Sequence, residues 1–576
     1  MIDDLWYKNA ILYCLDVETY QDGSGDGIGD FKGLTRRLDY LAGLGVTCLW
    51  LQPFYPSPNR DNGYDVADYY GVDPRLGTPG DFVEFMNHAQ QNGMRVIVDL
   101  VVNHTSIDHP WFQTARRDRA SPLRDWYVWS RSRPADHADG AVFPGVQNTT
   151  WTRDEVSGEY YFHRFYESQP DLNTMNPQVR EEITRIMGFW LQLGVSGFRM
   201  DAVPFLITPK GVDAAKAKDY ELLHELTNFL QWRRRDAILL AEANVPPAES
   251  IRYFGERGER LQMMLNFPVN QRLFFAMATG DTRPLIKALQ DTYARPRDAQ
   301  WVNFLRSHDE LDLGRLTDSQ RQRVFDSFAP DEHMQLYQRG IRRRLAPMLG
   351  NDRRRLELAY SLLLTLPGTP MLQYGDEIGM GDDLSLPERE CARTPMQWTD
   401  DPNGGFSGAQ RLIRPAISDP VYGFQSLNVE SQRRDPQSLL HWMERAIRMR
   451  RECHEISWGD WRIVDSGARD VLVMRYDWRG DTLVFIHNFS GERRDVQLDV
   501  EQAGHALLVN LLTTDDSRAA PGLPHRITLQ PYGYRWLRAG RFDPDAMRSE
   551  PAERGAVATH ARSTSATLQA CAMHPR

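Results

Sequence analysis

Cysteine is scarce in this chain of 576 residues: Cys14, Cys48, Cys391, Cys453 and Cys571 make an odd number with no CxxC pair and no regular spacing. That usage argues against a disulfide framework and against a thiolate zinc site. Cys14 and Cys48 fall inside apolar, strand-like runs, where a thiol ordinarily serves as a small buried hydrophobe. Positive charge is also in deficit. Sixty-eight Lys and Arg stand against 78 Asp and Glu, a formal charge of −10, which argues against capture of nucleic acid by overall charge. The basic run Arg342 to Arg344 reads as a solvated helix face. No apolar run reaches the roughly 18 residues of a membrane span, and Met1 to Tyr7 lacks a basic segment followed by a long apolar one. These absences lead us to expect a cytoplasmic protein with no membrane or nucleic-acid partner.

What remains is an ordinary globular composition, 41% apolar and 25% charged. At roughly 150 residues per domain the length corresponds to about four average domains, or fewer if one is a large barrel. Aromatics are abundant, at 11%, and many lie in polar segments rich in Gly and Pro. They serve either as sugar-stacking platforms or as fillers of loop cores, and composition does not decide between these.

Eight short apolar runs alternate with helical segments: Ile11 to Val17, Val46 to Pro53, Arg95 to Val102, Gly197 to Val203, Ala237 to Asn244, Met263 to Val269, Trp301 to Ser307 and Thr369 to Tyr374. Continuous apolar strands suit a parallel sheet covered on both faces. Helical periodicity marks Phe31 to Leu44, Gly80 to Asn92, Pro177 to Leu193, Tyr220 to Arg234 and Arg353 to Leu366. The alternation predicts an α/β fold, a (β/α)8 TIM barrel over residues 1–103 and 177–453; a doubly wound open sheet is the alternative. Residues 104–176 break the pattern and are too long for a simple connection, so they read as a subdomain inserted after strand 3. Gly375 to Asn428 is a second irregular stretch beside the barrel mouth. An antiparallel C-terminal β domain, a β-sandwich, is expected over 454–540. The Ala-, Ser- and Arg-rich tail of 541–576 reads as disordered.

Function in a parallel barrel collects where strands end. Strand 3 runs out into Asp99, Asn103 and His104, strand 4 into Arg199 and Asp201, strand 5 into Glu242 and Asn244, and strand 7 into His308 and Asp309. One such carboxylate is often only a helix cap or an ion-pair partner. Three on one rim (Asp201, Glu242, Asp309) repel one another unless chemistry favours them. Paired carboxylates can act as nucleophile and general acid/base on a glycosidic bond. Arg199, two residues before Asp201 on a strand of period two, shares its face and would keep it ionised.

The segments DLVVNH (Asp99 to His104), GFRMDAV (Gly197 to Val203), LLAEAN (Leu239 to Asn244) and FLRSHDE (Phe304 to Glu310) resemble, in order and spacing, the strand-end motifs of the α-amylase superfamily. QPDLN (Gln169 to Asn173) resembles the additional motif of its oligo-1,6-glucosidase-like branch. LWLQPFYPSP, GIRRRLAPML, PGTPMLQYGDEIGMGD and RTPMQW (Arg393 to Trp398) resemble the members of that branch that interconvert maltose and trehalose. The resemblance implies Asp201 as nucleophile, Glu242 as acid and then base, and Asp309 as the group that holds the distorted sugar. It implies a glucose pocket of Tyr64, Asp65, His104, Arg199, His308 and Arg393, with Phe143 and Gln169 from the insertion. Ala202 after the nucleophile implies a preference for α-1,4 links. The implied partner is a small α-glucoside, and a homo-oligomer is compatible with the sequence. Hydrolysis or transglucosylation of α-1,4-glucosides uses the same residues and stays open as an alternative, with a non-catalytic sugar-binding scaffold more remote.

Asp22, Ser24, Asp26, Ile28 and Asp30 alternate as oxygen donors around Gly27, like the first nine positions of a calcium loop. Gly33 at the twelfth position excludes an EF-hand. The loop resembles a structural Ca2+ or Mg2+ site of the branch, and no organic cofactor is implied. A second ion is implied on Asn103 and Asp171, with Thr208 where the family supplies an acid.

Overall fold

A computed structural model describes residues 3–211, 217–498, 507–519 and 523–539. Eight parallel strands close into a barrel: β1 (Leu12–Leu15), β2 (Cys48–Leu51), β3 (Arg95–Leu100), β4 (Gly197–Met200), β5 (Ile238–Ala241), β6 (Met263–Leu265), β7 (Gln300–Phe304) and β8 (Thr369–Gln373). Each pairs with its neighbour in the chain, and β8 returns to β1. The open-sheet alternative is therefore excluded. Alternation along the strands sends Leu12, Cys48, Trp50, Ile97, Leu240 and Met371 to the barrel interior, while Tyr13, Leu49 and Val98 join the larger core under the helices. Cys14 and Cys48 are fully buried in β1 and β2.

Local chemistry starts the helices where the motifs need them. Thr78 and Asp81 form a capping box ahead of Pro79–Gln91, and Asn176 caps Pro177–Gln192, the helix that leads into β4. The helix expected over Phe31 to Leu44 is two, Phe31–Arg36 and Leu38–Leu44, broken at Arg37 (φ −103°, ψ 2°). At this break the Arg37 guanidinium lies 4.0 Å from the Trp398 ring centre and donates to Gln21 Oε1 at 2.7 Å.

Residues 104–176 carry a three-stranded antiparallel sheet of Trp129–Ser130, Tyr160–Phe162 and Trp151–Arg153. Its ends are clasped together, with the Leu172 amide donating to Asn103 O and the Thr105 amide to Pro170 O. Most aromatics of this insertion fill its own core: Phe112 stacks on Trp129 and meets Tyr127 and Tyr161 edge-on. A second excursion follows β7. Leu311–Asp312, Gln335–Leu336 and Gly340–Ile341 form a small sheet enclosing the helix Asp318–Phe328. Strands of two residues leave no periodicity to read.

Arg342 to Arg344 are not a solvated helix face. Arg344 is buried and donates to Tyr374 O and Ala392 O; Arg342 bonds Leu386 O and Cys391 Sγ; Arg343 lies 3.5 Å from Asp382. The run staples the chain after β7 to the irregular stretch after β8.

The C-terminal domain pairs a six-stranded sheet with a two-stranded one. Val471, Val473, Val484, Ile486 and Leu537 face Val496, Leu498, Ile527 and Leu529 between the sheets. Residues of the opposite parity pack on the barrel, where Trp536 Nε1 donates to Ser361 Oγ and Tyr476 to Thr365 O, both on the helix Arg353–Thr365. The tail 541–576 lies outside the described residues.

Candidate active site

The rim of the barrel is organised around one cation. In the register of β3 with β4, Asp99 stands opposite Arg199. The buried Arg199 guanidinium donates to Asp99 Oδ1 at 2.5 Å, to Asp201 Oδ1 at 2.7 Å and to Glu242 Oε2. A planar fork with five N–H groups can serve three carboxylates at once; an ammonium would not span them. Trp50 and Tyr64 also donate to Asp99 Oδ2, at 2.9 and 3.2 Å. Ala202 turns through the left-handed region (φ 48°, ψ 39°) and leans its amide toward Glu242 Oε2 at 3.4 Å.

Burial and charge set the three carboxyls apart. Burial pushes Glu242 up to about 7, with Asp201 and Asp309 adding repulsion against the pull of Arg199. Burial likewise raises Asp201, to about 6. Asp309 goes the other way: the groups around it overcome its desolvation and hold it well below the carboxylate range. These are His308, whose Nε2 lies 3.1 Å away, Arg389 at 2.8 Å and Arg393 at 3.2 Å. Tyr64 stacks on His308 at 5.5 Å and puts its hydroxyl 2.7 Å from Nε2. Burial keeps both His308 and His104 less basic than free histidine, and His104 Nε2 sits 3.0 Å from Tyr64 O.

Above these groups lies a cavity of about 300 Å³, lined by Tyr64, His104, Phe143, Arg199, Asp201, Glu242 and Asp309 among others. The size is at the lower end for small-molecule sites, room for a short sugar rather than a polymer. The arrangement can therefore supply a fixed anion, a titrating acid and an ionised clamp to one small ligand.

Over residues 17–459 the chain matches the family described as Alpha amylase, catalytic domain. It belongs to the α-amylase family. Residues 480–538 match the Sucrose hydrolase-like, C-terminal domain. A trehalose synthase of Pimelobacter sp. (strain R48) is 42% identical over 557 residues, 94% of this chain and 96% of that one. The trehalose synthase/amylase TreS of Mycolicibacterium smegmatis is 40% identical over 564 residues, 94% of each chain. A solved mutant of the trehalulose synthase MUTB, in complex with Tris, superposes with a TM-score of 0.75 at 27% identity, covering 92% of this chain and 100% of its own.

Within this α-amylase-family rim, some expected pocket residues stand behind the wall. Asp65 is fully buried and accepts from Ser57 Oγ and from the Arg60 and Asp61 amides, so it shapes the loop while Asp61 faces the cavity. Arg393, also fully buried, braces His308 O at 2.8 Å as well as Asp309. Gln169 donates to Asp61 Oδ2 at 2.9 Å. Two further cavity arginines, Arg339 and Arg389, carry no sequence signal, because Arg339 precedes a strand of only two residues and Arg389 lies in a 3-10 turn. Phe54 and Tyr55 stack in the core, and Trp398 packs on Tyr20 and Tyr40.

Asn103 and Asp171 do not form an open ion site. The buried Lys210 ammonium donates to Asn103 Oδ1 and to Asp171 Oδ2, the latter at 2.7 Å, so a chain cation takes the position expected of the second metal. Asp171 also accepts from the Arg164 amide and from Asn103 Nδ2, which ties the insertion to the end of β3. Lys210→Ala leaves a buried carboxylate without its cation, and we expect a loss of about 3 kcal/mol in chemical denaturation. An unchanged midpoint would contradict the ion-pair account.

In the 22–30 loop, Asp22 accepts from the Ser24, Gly25 and Gly27 amides and from Ser407, and Asp30 from the Gly23, Ser24 and Gly33 amides. Among the described residues no three His, Cys, Asp or Glu side chains converge as a ready metal cage. Gly27 is required there: at φ +94° a Cβ would sit 2.0 Å from Arg411 O.

Proposed function

We propose that this protein interconverts maltose and trehalose by a retaining double displacement. The observation that carries the reading is the small cavity whose floor holds a nucleophile-ready Asp201 and a titrating Glu242 on one guanidinium. The trehalose synthases that align along nearly its full length support it. Glu242 protonates the glycosidic oxygen while Asp201 attacks C1, breaking the C1–O bond and forming a glucosyl ester. The freed glucose turns and presents its own C1 hydroxyl. Glu242, now ionised, takes that proton as the new C1–O bond forms and the ester breaks. Asp309 stays ionised throughout and favours positive charge on the sugar ring.

The roles fix the pH dependence. Asp201 must be ionised, so activity falls as pH drops through about 6; Glu242 must be protonated at the start, so activity falls as pH rises through about 7. We expect kcat/KM on maltose to trace a narrow bell with its maximum between these values, belonging to the coupled pair. A flat profile from pH 5 to 8, roughly the physiological window, would sink the assignment.

Product analysis after incubation with maltose tests the function itself: trehalose as main product supports isomerisation, and glucose alone overturns it in favour of an α-glucosidase. We also propose that the 22–30 loop takes one Ca2+ or Mg2+ as a structural ion. Its alternating oxygens support this, with Asp22 and Asp30 buried on neutral donors. The Asp side chains, Ser24 Oγ and the Ile28 carbonyl would hold it. Chelator should lower Tm and added Ca2+ restore it; no change in either arm would overturn this site. The site of action proposed is the cytoplasm, in keeping with the finding that no helix among the described residues is long and apolar enough to cross a membrane.

A further inference from the structure

Three loops from different parts of the chain meet on one carboxylate oxygen at the cavity mouth. Tyr166, in the insertion, donates to Glu388 Oε2 at 2.5 Å. Tyr337, in the excursion after β7, donates to the same oxygen at 2.7 Å, and the two phenol oxygens are 3.1 Å apart. Phe143 packs on both rings, 4.8 Å from Tyr166 and 4.7 Å from Tyr337. Glu388 opens the 3-10 turn Glu388–Ala392, whose next residue, Arg389, bonds Asp61 at 2.7 Å and Asp309 at 2.8 Å and lies over Phe143.

The backbone is held out of its ordinary range where these groups meet. Tyr337 (φ 53°), Gln338 (φ 58°) and Glu388 (φ 37°) are all left-handed non-glycine residues. Such conformations cost free energy and persist where surrounding contacts over-determine them. The contacts here join the roof of the cavity and fix Arg389 over the sugar-binding Asp309; they do not touch the reacting atoms.

We infer that Glu388 is a positioning residue that keeps this roof latched while the freed glucose turns, and so decides whether sugar or water captures the glucosyl ester. The inference rests on the isomerase reading. Either acceptor completes the same step: its oxygen bonds to C1, the C1–Oδ bond to Asp201 breaks, and the acceptor's proton passes to Glu242. The outcome therefore depends on which hydroxyl is present, and an open roof admits water.

The test is the ratio of glucose to trehalose formed from maltose, which is independent of total rate. Glu388→Ala, and separately Tyr166→Phe with Tyr337→Phe, should raise the glucose share by about tenfold, the factor expected for losing a charge-assisted hydrogen bond. Glu388→Gln keeps an acceptor oxygen for both phenols and should restore most of the trehalose. An unchanged ratio in the folded Ala variant, or in the double Phe variant should the Ala variant not fold, overturns the latch while leaving the isomerase reading intact. A wild-type enzyme releasing only glucose overturns both.

Discussion

Asp201→Asn is expected to lower kcat on an aryl α-glucoside by at least about 10⁴-fold, the scale seen when a covalent nucleophile is removed. An activated leaving group needs little help from Glu242, so the measurement isolates the attack on C1. The amide oxygen of Asn can still accept from Arg199, so Tm should hardly move. Loss of activity without loss of fold is the expected signature. Turnover within tenfold of wild type would remove Asp201 from the mechanism.

Arg199→Leu should be the most damaging single change to the fold of the rim. It leaves Asp99, Asp201 and Glu242 buried together without their shared cation. Breaking one buried pair from one side costs about 3–5 kcal/mol, and three partners are stranded here, so about 5 kcal/mol or more is expected. The sign of the pH dependence follows. Without Arg199 the folded carboxyls titrate even higher than burial already sets them, well above their unfolded values near 4, so the folded state binds extra protons. Both forms share one unfolded state, so the deficit should grow as pH rises above about 6, where the wild-type carboxyls ionise and those of the variant stay protonated. Urea unfolding at several pH values measures it, and a constant or shrinking deficit would contradict the hub. Arg199→Lys keeps a charge without the fork and should lie between the two.

The barrel was legible because its signals are local and strong. Runs such as Arg95 to Val102 are apolar on both faces, and their ends are marked by the polar residues that now ring the cavity. Asp201, Glu242 and Asp309 could be brought to one rim by strand order alone, since a parallel barrel puts every carboxyl end on the same side. The roof was not legible. Arg389, Tyr337 and Arg339 sit in turns whose geometry depends on tertiary partners, as the left-handed φ of Tyr337 shows. Asp65 and Arg393 stand one layer behind the cavity wall, and order along the chain does not say whether a side chain faces the ligand or braces the residue that does. The run at Arg342 misled for a related reason: adjacent arginines look solvated unless the carbonyls they serve, here Tyr374 O, Ala392 O and Leu386 O, are known.

Lys210 changes what the join between insertion and barrel depends on. A metal bound at Asn103 and Asp171 would stabilise the fold by mass action, in proportion to the logarithm of its free concentration over its dissociation constant. An ammonium carried by the chain has no such dependence. Its local concentration is set by a covalent tether, and no chelator or competing cation can dilute it. The join between insertion and barrel thereby carries its own cation at Asn103 and Asp171, delivered by the fold itself and not by the surrounding solution.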